Sequence, residues 1–200
     1  ASRIKRNGAV VYESLLENRT GRAILRELEE MQLGHTLIAC TKEAAMIKTD
    51  LSPEESAAVR RSYKKVVTVA DFGSIEDDFI KITVRDMHER CIETAEKLAA
   101  FRNRAHIVAS EKAWLDITDL NVHKGSTVAH LQELLQVTPE ETMVFGDGMN
   151  DIEMMKSGRY SFAVRNAYPI IKDTAAFTTG RTNDEDAVSH TILQLLALQG

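Results

Sequence analysis

Apolar residues recur along this chain with two periods, and the change from one arrangement to the other divides it. Ala9 to Tyr12 reads as a short strand, and Thr20 to Leu33 as a helix with Ile24, Leu25, Leu28 and Met31 on one face. Thr36 to Cys40 is a strand, with Ala44 to Ile47 placed to pair with it. Ser52-Pro53-Glu54-Glu55 is a helix start, with Ser52 as N-cap, proline at the first helical position and acids in the first turn; that helix ends near Tyr63. Val66 to Val69 and Phe79 to Val84 are rich in β-branched residues, Met87 to Phe101 has the helical repeat Cys91, Ala95, Leu98, and Ala105 to Ala109 and Ala113 to Ile117 form a closing strand pair. Strands outnumber helices over this stretch, which predicts an α+β domain: an antiparallel sheet with helices on one face.

From Lys124 onward, helices and strands alternate singly. A helix to Gln136 is followed by a strand before Gly146, a helix through Lys156, a strand at Tyr160 to Val164, a helix after Pro169 and a last helix from Asn183. This is the pattern of a parallel sheet with crossover helices. The expected division is therefore residues 1–115, with a lead-in over 1–8, and residues 116–200. No proline-rich linker marks the boundary near Asp116, so the two parts are expected to join through short paired segments.

Composition narrows the function classes. Two hundred residues with 44% hydrophobic content suit one large or two small globular domains. A net charge of −5 without a basic patch argues against nucleic acid as partner. Two cysteines, Cys40 and Cys91, are too few for a disulfide framework or a zinc site and read as buried thiols. No apolar run approaches a membrane span and the N-terminus lacks the apolar core of a signal peptide, so the default expectation is a cytoplasmic protein without a membrane partner.

The most informative string is Phe145 to Asp151, FGDGMND, set between the apolar run Thr142 to Val144 and the periodic segment Ile152 to Met155. Gly-Asp-Gly is also an ordinary turn sequence and Asn-Asp an ordinary helix cap. Here, however, two acids and an amide occupy five positions directly behind a strand, and such crowding needs a positive partner. Glycines on both sides of Asp147 predict a sharp turn and close backbone approach to a ligand. A strand end, a carboxylate and a helix start suit a hard cation beside a phosphate. Lys124 opens a helix continuing through Val128, Leu131 and Leu135. The dipole disfavours a cation there, which points to an anionic partner. His123, its neighbour, reads as a loop residue.

FGDGMNDIEMM resembles the fourth motif of the haloacid dehalogenase superfamily of phosphohydrolases, in particular its Cof-type branch with a large cap. WLDITDLNVHKG, Trp114 to Gly125, resembles the third motif of that family; YSFAVRNA at Tyr160 and TGRTNDEDAV at Thr179 are similar to the usual continuation. The resemblance runs from about Asn7 to the C-terminus. It implies a Rossmannoid parallel sheet, here partial and without its first strands, with an α+β cap of the C2 type. It also implies Mg²⁺ as cofactor, Asp147 as direct ligand, and Asp151 holding the metal through water or fixing the geometry around Asp147. Asn150 would meet a phosphate oxygen, and Lys124 would neutralise the nucleophile and the transferring phosphoryl group. The substrate class would be small phosphorylated metabolites such as sugar phosphates. Asn183 and Asp184 read as the cap of the last helix, although the branch often places an Asn near the phosphate.

Family members open with a strand ending in Asp-x-Asp, which supplies the nucleophile and the acid–base. The pair Asp184 and Asp186 follows a polar run and opens a helix pattern, so it does not fit. Position 1 therefore reads as an interior point of a longer protein, and the 200 residues alone as inactive, with the missing segment or a second chain completing the sheet. One alternative is a binding module that keeps the metal-side loop without the nucleophile. Another is the phosphorylation domain of a cation-pumping ATPase, against which stand the FGD opening, the YSFAVRNA continuation and the lack of a membrane segment. Lys42, Asp71 and Lys81 are the scattered polar candidates of the cap and read as surface groups.

Overall fold

A computed structural model describes residues 3–198, so the first two residues of the expected lead-in and the last two of the chain lie outside it. The chain divides into two compact units, one ending at Val122 and the other beginning at His123. The boundary expected at 115/116 falls inside a strand of the first unit.

β1 (Arg3–Arg6) and β2 (Ala9–Glu13) form an antiparallel hairpin. Its turn is Asn7-Gly8, both with positive φ (51° and 82°), which matches the right-handed twist of the strands. The polar sequence of β1 hid it from a hydrophobicity reading, although Asn-Gly is a hairpin signal. α1 (Asn18–Glu30) buries Ile24, Leu25 and Leu28, and ends before Leu33 because Gln32 turns to φ 49°. β3 (Thr36–Cys40), β4 (Ala45–Lys48), α2 (Pro53–Ser62), β5 (Val66–Val69), β6 (Lys81–Arg85), α3 (Cys91–Lys97), β7 (Ala105–Glu111) and β8 (Trp114–Asp119) complete the unit. Its six-stranded sheet has the order β5-β4-β3-β6-β8-β7, antiparallel throughout except for the β4–β5 pair.

β3 is central, and alternation sends its side chains to two cores. Leu37 and Ala39, with Ile82, Val84, Leu115 and Ile117, pack against α1 and α3. Ile38 and Cys40 pack with Ala45, Ile47 and Val59 of α2. Helices therefore cover both faces of this sheet, not one as expected. α2 takes the second face because it is the crossover that the parallel β4–β5 pair requires. The helix expected from Met87 begins only at Cys91. The Asp86 carboxylate accepts from the amides of His88 (3.0 Å) and Arg90 (3.1 Å), holding those residues in a turn. The Arg90 side chain closes on the same carboxylate at 2.8 Å and buried His35 lies beside it. Phe79 precedes β6 and bridges to Leu16 instead of joining the strand. Cys40 and Cys91 are free and buried, and burial pushes both thiols up to about 11.

The second unit contains α4 (Lys124–Leu135), β9 (Met143–Gly146), α5 (Ile152–Met155), β10 (Tyr160–Ala163), α6 (Pro169–Thr174), β11 (Phe177–Thr178) and α7 (Ala187–Ala197). The sheet order is β11-β10-β9, all parallel, as the alternating pattern predicts; two-residue β11 was too short to be read. Phe145, Phe162 and Phe177 occupy paired positions and stack across the three strands with centroids 5.1 Å apart. Val144, Met155, Ala163, Val164 and Ile171 form the core. Among the described residues, the second edge of β9 has no partner strand. α7 buries Ala187 alone and leaves Leu193 and Leu196 66% and 58% exposed. No helix among the described residues is long and apolar enough to cross a membrane.

Candidate active site

β9 delivers its carboxyl end at Gly146, and the backbone continues through Asp147 into a 3₁₀ turn, Met149–Asp151, that leads directly into α5. Neither glycine beside Asp147 has a positive φ, so the sharp turn expected there does not require left-handed backbone. Gly146 is selected by space: a Cβ there would lie 2.7 Å from Asp151 Cβ and 2.8 Å from Met155 Cε. The strand end thus accepts the Asp151 side chain directly against its backbone.

Asp151 is 1% exposed, and both its oxygens are engaged. Oδ2 accepts from the amides of Asp147 (2.9 Å) and Gly148 (3.1 Å), and Oδ1 accepts from Lys124 Nζ. A buried carboxylate needs this much compensation, because an uncompensated one is worth several kcal/mol against folding. The consequence is positional: Asp151 fixes the backbone that carries Asp147. The Asp147 side chain is exposed, and its carbonyl accepts from Tyr168 N at 3.1 Å. Asn150 is half-buried and uses Oδ1 to accept from Lys124 Nζ at 3.2 Å. The four residues singled out from sequence, Lys124, Asp147, Asn150 and Asp151, therefore belong to one hydrogen-bonded assembly.

Lys124 is brought there by features that sequence reading passed over. His123 is the N-cap of α4, its Nδ1 accepting from Ser126 N at 3.1 Å while Ser126 Oγ accepts from His123 N at 3.1 Å. The reciprocal spacing of three residues is the usual signal of such a cap, with histidine in the place of serine or aspartate. Gly125 follows, and a Cβ on it would lie 2.6 Å from the carbonyl oxygen of Glu153. Only glycine lets the first turn of α4 rest on α5, and that contact sets the reach of Lys124.

The other sequence candidates lie elsewhere. Asp184 is in a 3₁₀ turn, Asn183–Glu185, capped by Thr182, and Asp186 follows at φ 55°, so neither stands at a strand end. Asn183 is not the cap; its side chain accepts from Asn166 Nδ2 at 2.7 Å. Lys42 pairs with Glu13, Asp71 accepts from Gly73 N at 2.8 Å, and Lys81 pairs with Asp116 at 3.0 Å. No group of three or more His, Cys, Asp or Glu able to hold a metal occurs among the described residues. Asp147 is thus a single free carboxylate, one donor towards the six oxygens that Mg²⁺ takes.

The profile of the haloacid dehalogenase-like hydrolases matches residues 2–192. The 5-amino-6-(5-phospho-D-ribitylamino)uracil phosphatase YbjI of Escherichia coli is 28% identical over 74% of this chain and 55% of its own length. The chain spans 55%, 39% and 44% of the lengths of this relative and two other curated ones. Among solved structures, SMU.1108c from Streptococcus mutans superposes with a TM-score of 0.89 at 25% identity, covering 98% of this chain and 74% of that one. The subclass IIB sugar phosphatase BT4131 shares the fold with a TM-score of 0.77 at 20% identity, over 97% and 72% of the two chains. With Lys124 and the Phe145–Asp151 loop assembled at the end of a parallel strand, and a family match over nearly the whole length, this chain belongs to the haloacid dehalogenase-like hydrolases.

Proposed function

We propose that these residues form the metal and phosphate side of a Mg²⁺-dependent phosphohydrolase that acts on small phosphate monoesters through a phospho-aspartate. The observation that carries this reading is that Lys124 Nζ is held by Asp151 and Asn150 while the same Asp151 carboxylate accepts from the backbone amide of Asp147, whose own side chain is exposed. A fixed cation and an unshared carboxylate at a strand end suit a phosphoryl group whose charge grows on its equatorial oxygens.

In this reading an aspartate outside residues 1–200 attacks phosphorus in line. The bond to the leaving oxygen breaks, a second acid protonates that oxygen, and water then cleaves the acyl phosphate. Bound Mg²⁺ would neutralise phosphoryl charge, with Asp147 as its ligand from this chain. Lys124 stabilises the equatorial oxygens, Asn150 offers its amide hydrogens to one of them, and Asp151 positions both Lys124 and the Asp147 backbone. The first unit would serve as the cap. The relative named for a phosphoribitylamino compound supports a phosphorylated metabolite of modest size as substrate. The unpaired edge of β9 and the exposed apolar side of α7 are where the completing segment, from the same polypeptide or another, would dock.

The test is a phosphatase screen on the full-length protein with Mg²⁺ and with chelator. Asp147→Ala and Lys124→Met are each expected to lower kcat by about 10²–10³-fold, the usual loss when one electrostatic contact to the transition state is removed. Hydrolysis that ignores both chelator and Asp147→Ala would overturn the mechanism. Binding of phosphorylated compounds without turnover would favour the non-catalytic module.

A further inference from the structure

The first unit holds a pocket of about 200 Å³ that the hydrolase reading does not use. Its apolar wall is Ile38 and Val59, its aromatic walls are Tyr63 and Trp114, and its cations are Arg61 and Arg85. Local structure explains the grouping. Arg85 ends β6 and Trp114 begins β8, and the two are direct cross-strand partners, which places the guanidinium over the indole at 5.8 Å. Arg61 comes from the last turn of α2 and Tyr63 is the residue that ends it. Tyr63 directs its hydroxyl to Thr83 (3.5 Å), so the ring presents a flat face.

Among the described residues neither Arg61 nor Arg85 forms an ion pair, whereas Lys81 on the same strand as Arg85 is neutralised by Asp116 at 3.0 Å. Glu55, the carboxylate that responds to Arg85, has its oxygens committed to Thr36 (3.0 Å) and Ser52 (2.7 Å). Two like charges lining one small apolar space repel, and a bound anion relieves that repulsion. Planar guanidiniums bind carboxylate and phosphate oxygens in paired fashion, and the aromatic walls accept a flat ring.

We propose that this pocket, lined entirely by residues of the first unit, binds a small planar anion, an aromatic ring carrying one carboxylate or phosphate. Trp114 opens β8 and Asp119 closes it, so the pocket lies about 17 Å along the strand from the end that leads into the second unit. The volume admits a single ring with its anionic group.

Trp114 is the single tryptophan of the 200 residues and reports directly on the pocket. The protein is titrated with benzoate and with phenyl phosphate, following tryptophan fluorescence, with calorimetry as a second readout. Benzamide, of the same shape without charge, and inorganic phosphate, of the same charge without a ring, are the controls. Saturable binding of benzoate is expected, with benzamide not binding comparably; phenyl phosphate and inorganic phosphate are compared by tryptophan fluorescence in Lys124→Met, where phenyl phosphate is expected to bind and inorganic phosphate not to bind comparably. Arg61→Gln and Arg85→Gln should each weaken benzoate by roughly tenfold or more, the effect of losing one charge-assisted contact, while Lys124→Met leaves it unchanged. Arg61 is exposed, so its variant retains the fold. Equal response to benzamide, unaltered binding in both arginine variants, or loss of benzoate binding in Lys124→Met would each overturn the proposal.

Discussion

β3 in the first unit and α7 in the second are both apolar, yet β3 buries all five of its residues between two cores while α7 buries only Ala187. The first unit covers both faces of its sheet with its own helices and pairs its interior charges, Asp86 with Arg90 and Lys81 with Asp116. The second brings its four site residues together but leaves a strand edge and a helix face uncovered. Hydrophobic pattern therefore reports what must be covered and not what covers it. The unit that carries the proposed site is the one whose apolar surface exceeds what its own described residues bury.

The strongest test of this contrast is Phe79→Ala. Phe79 is fully buried in the larger core, and its removal is expected to lower the stability of the first unit by about 3–5 kcal/mol. Amide hydrogen exchange should show the loss in β3 and spare β10. Equal losses in both strands would mean that the chain unfolds as one block and that the two units are not energetically distinct.

Acid should separate the units next. Burial lowers the pKa of His35, only partly opposed by the Asp86 carboxylate, and the Arg90 guanidinium holds the Asp86 carboxyl well below its ordinary range. Both folded-state values lie under the unfolded ones, so the unfolded chain binds more protons. The stability contributed is complete above about pH 6.5, declines as pH falls and the unfolded histidine protonates, and declines further below about pH 4 as carboxylates do. Exchange protection in β3 is expected to fall more than in β10 between pH 7 and pH 5. Greater acid sensitivity in β10 would contradict this assignment.

The smallest effect sharpens the other side of the comparison. Leu193→Lys with Leu196→Lys should change the stability of the second unit by no more than about 0.5 kcal/mol, as for surface positions. The same change should reduce self-association measured by sedimentation. A loss of about 2 kcal/mol would show that these leucines are packed after all.

Much of this was legible because local chemistry decided it. The cap at Ser52 and the parallel pattern after Lys124 follow from residue type and spacing, whereas the grouping of Lys124 with Asp147, Asn150 and Asp151 is what the resemblance of their two motifs to the haloacid dehalogenase superfamily implies. What escaped depends on contacts between distant segments or on backbone geometry. β1 is polar and exists through its turn; the start of α3 is delayed by a buried aspartate; α2 crosses to the second face because β4 and β5 run parallel. At the site, the glycines of the loop announced a turn from sequence, whereas Gly146 serves to admit a carboxylate and Gly125 to admit a neighbouring helix. Both roles involve partners that no short window contains.

Gly125 has a mechanical corollary. With the first turn of α4 resting on the Glu153 carbonyl, and Lys124 tied to Asp151 two residues before it, the start of α4 and the loop after β9 are joined at two points as a lever is to its fulcrum, one of them a glycine. The reach of the lysine is set by the backbone contact beneath it, and a single added methyl at position 125 would press on the Glu153 carbonyl oxygen, 2.6 Å away, and lift the start of α4 off α5.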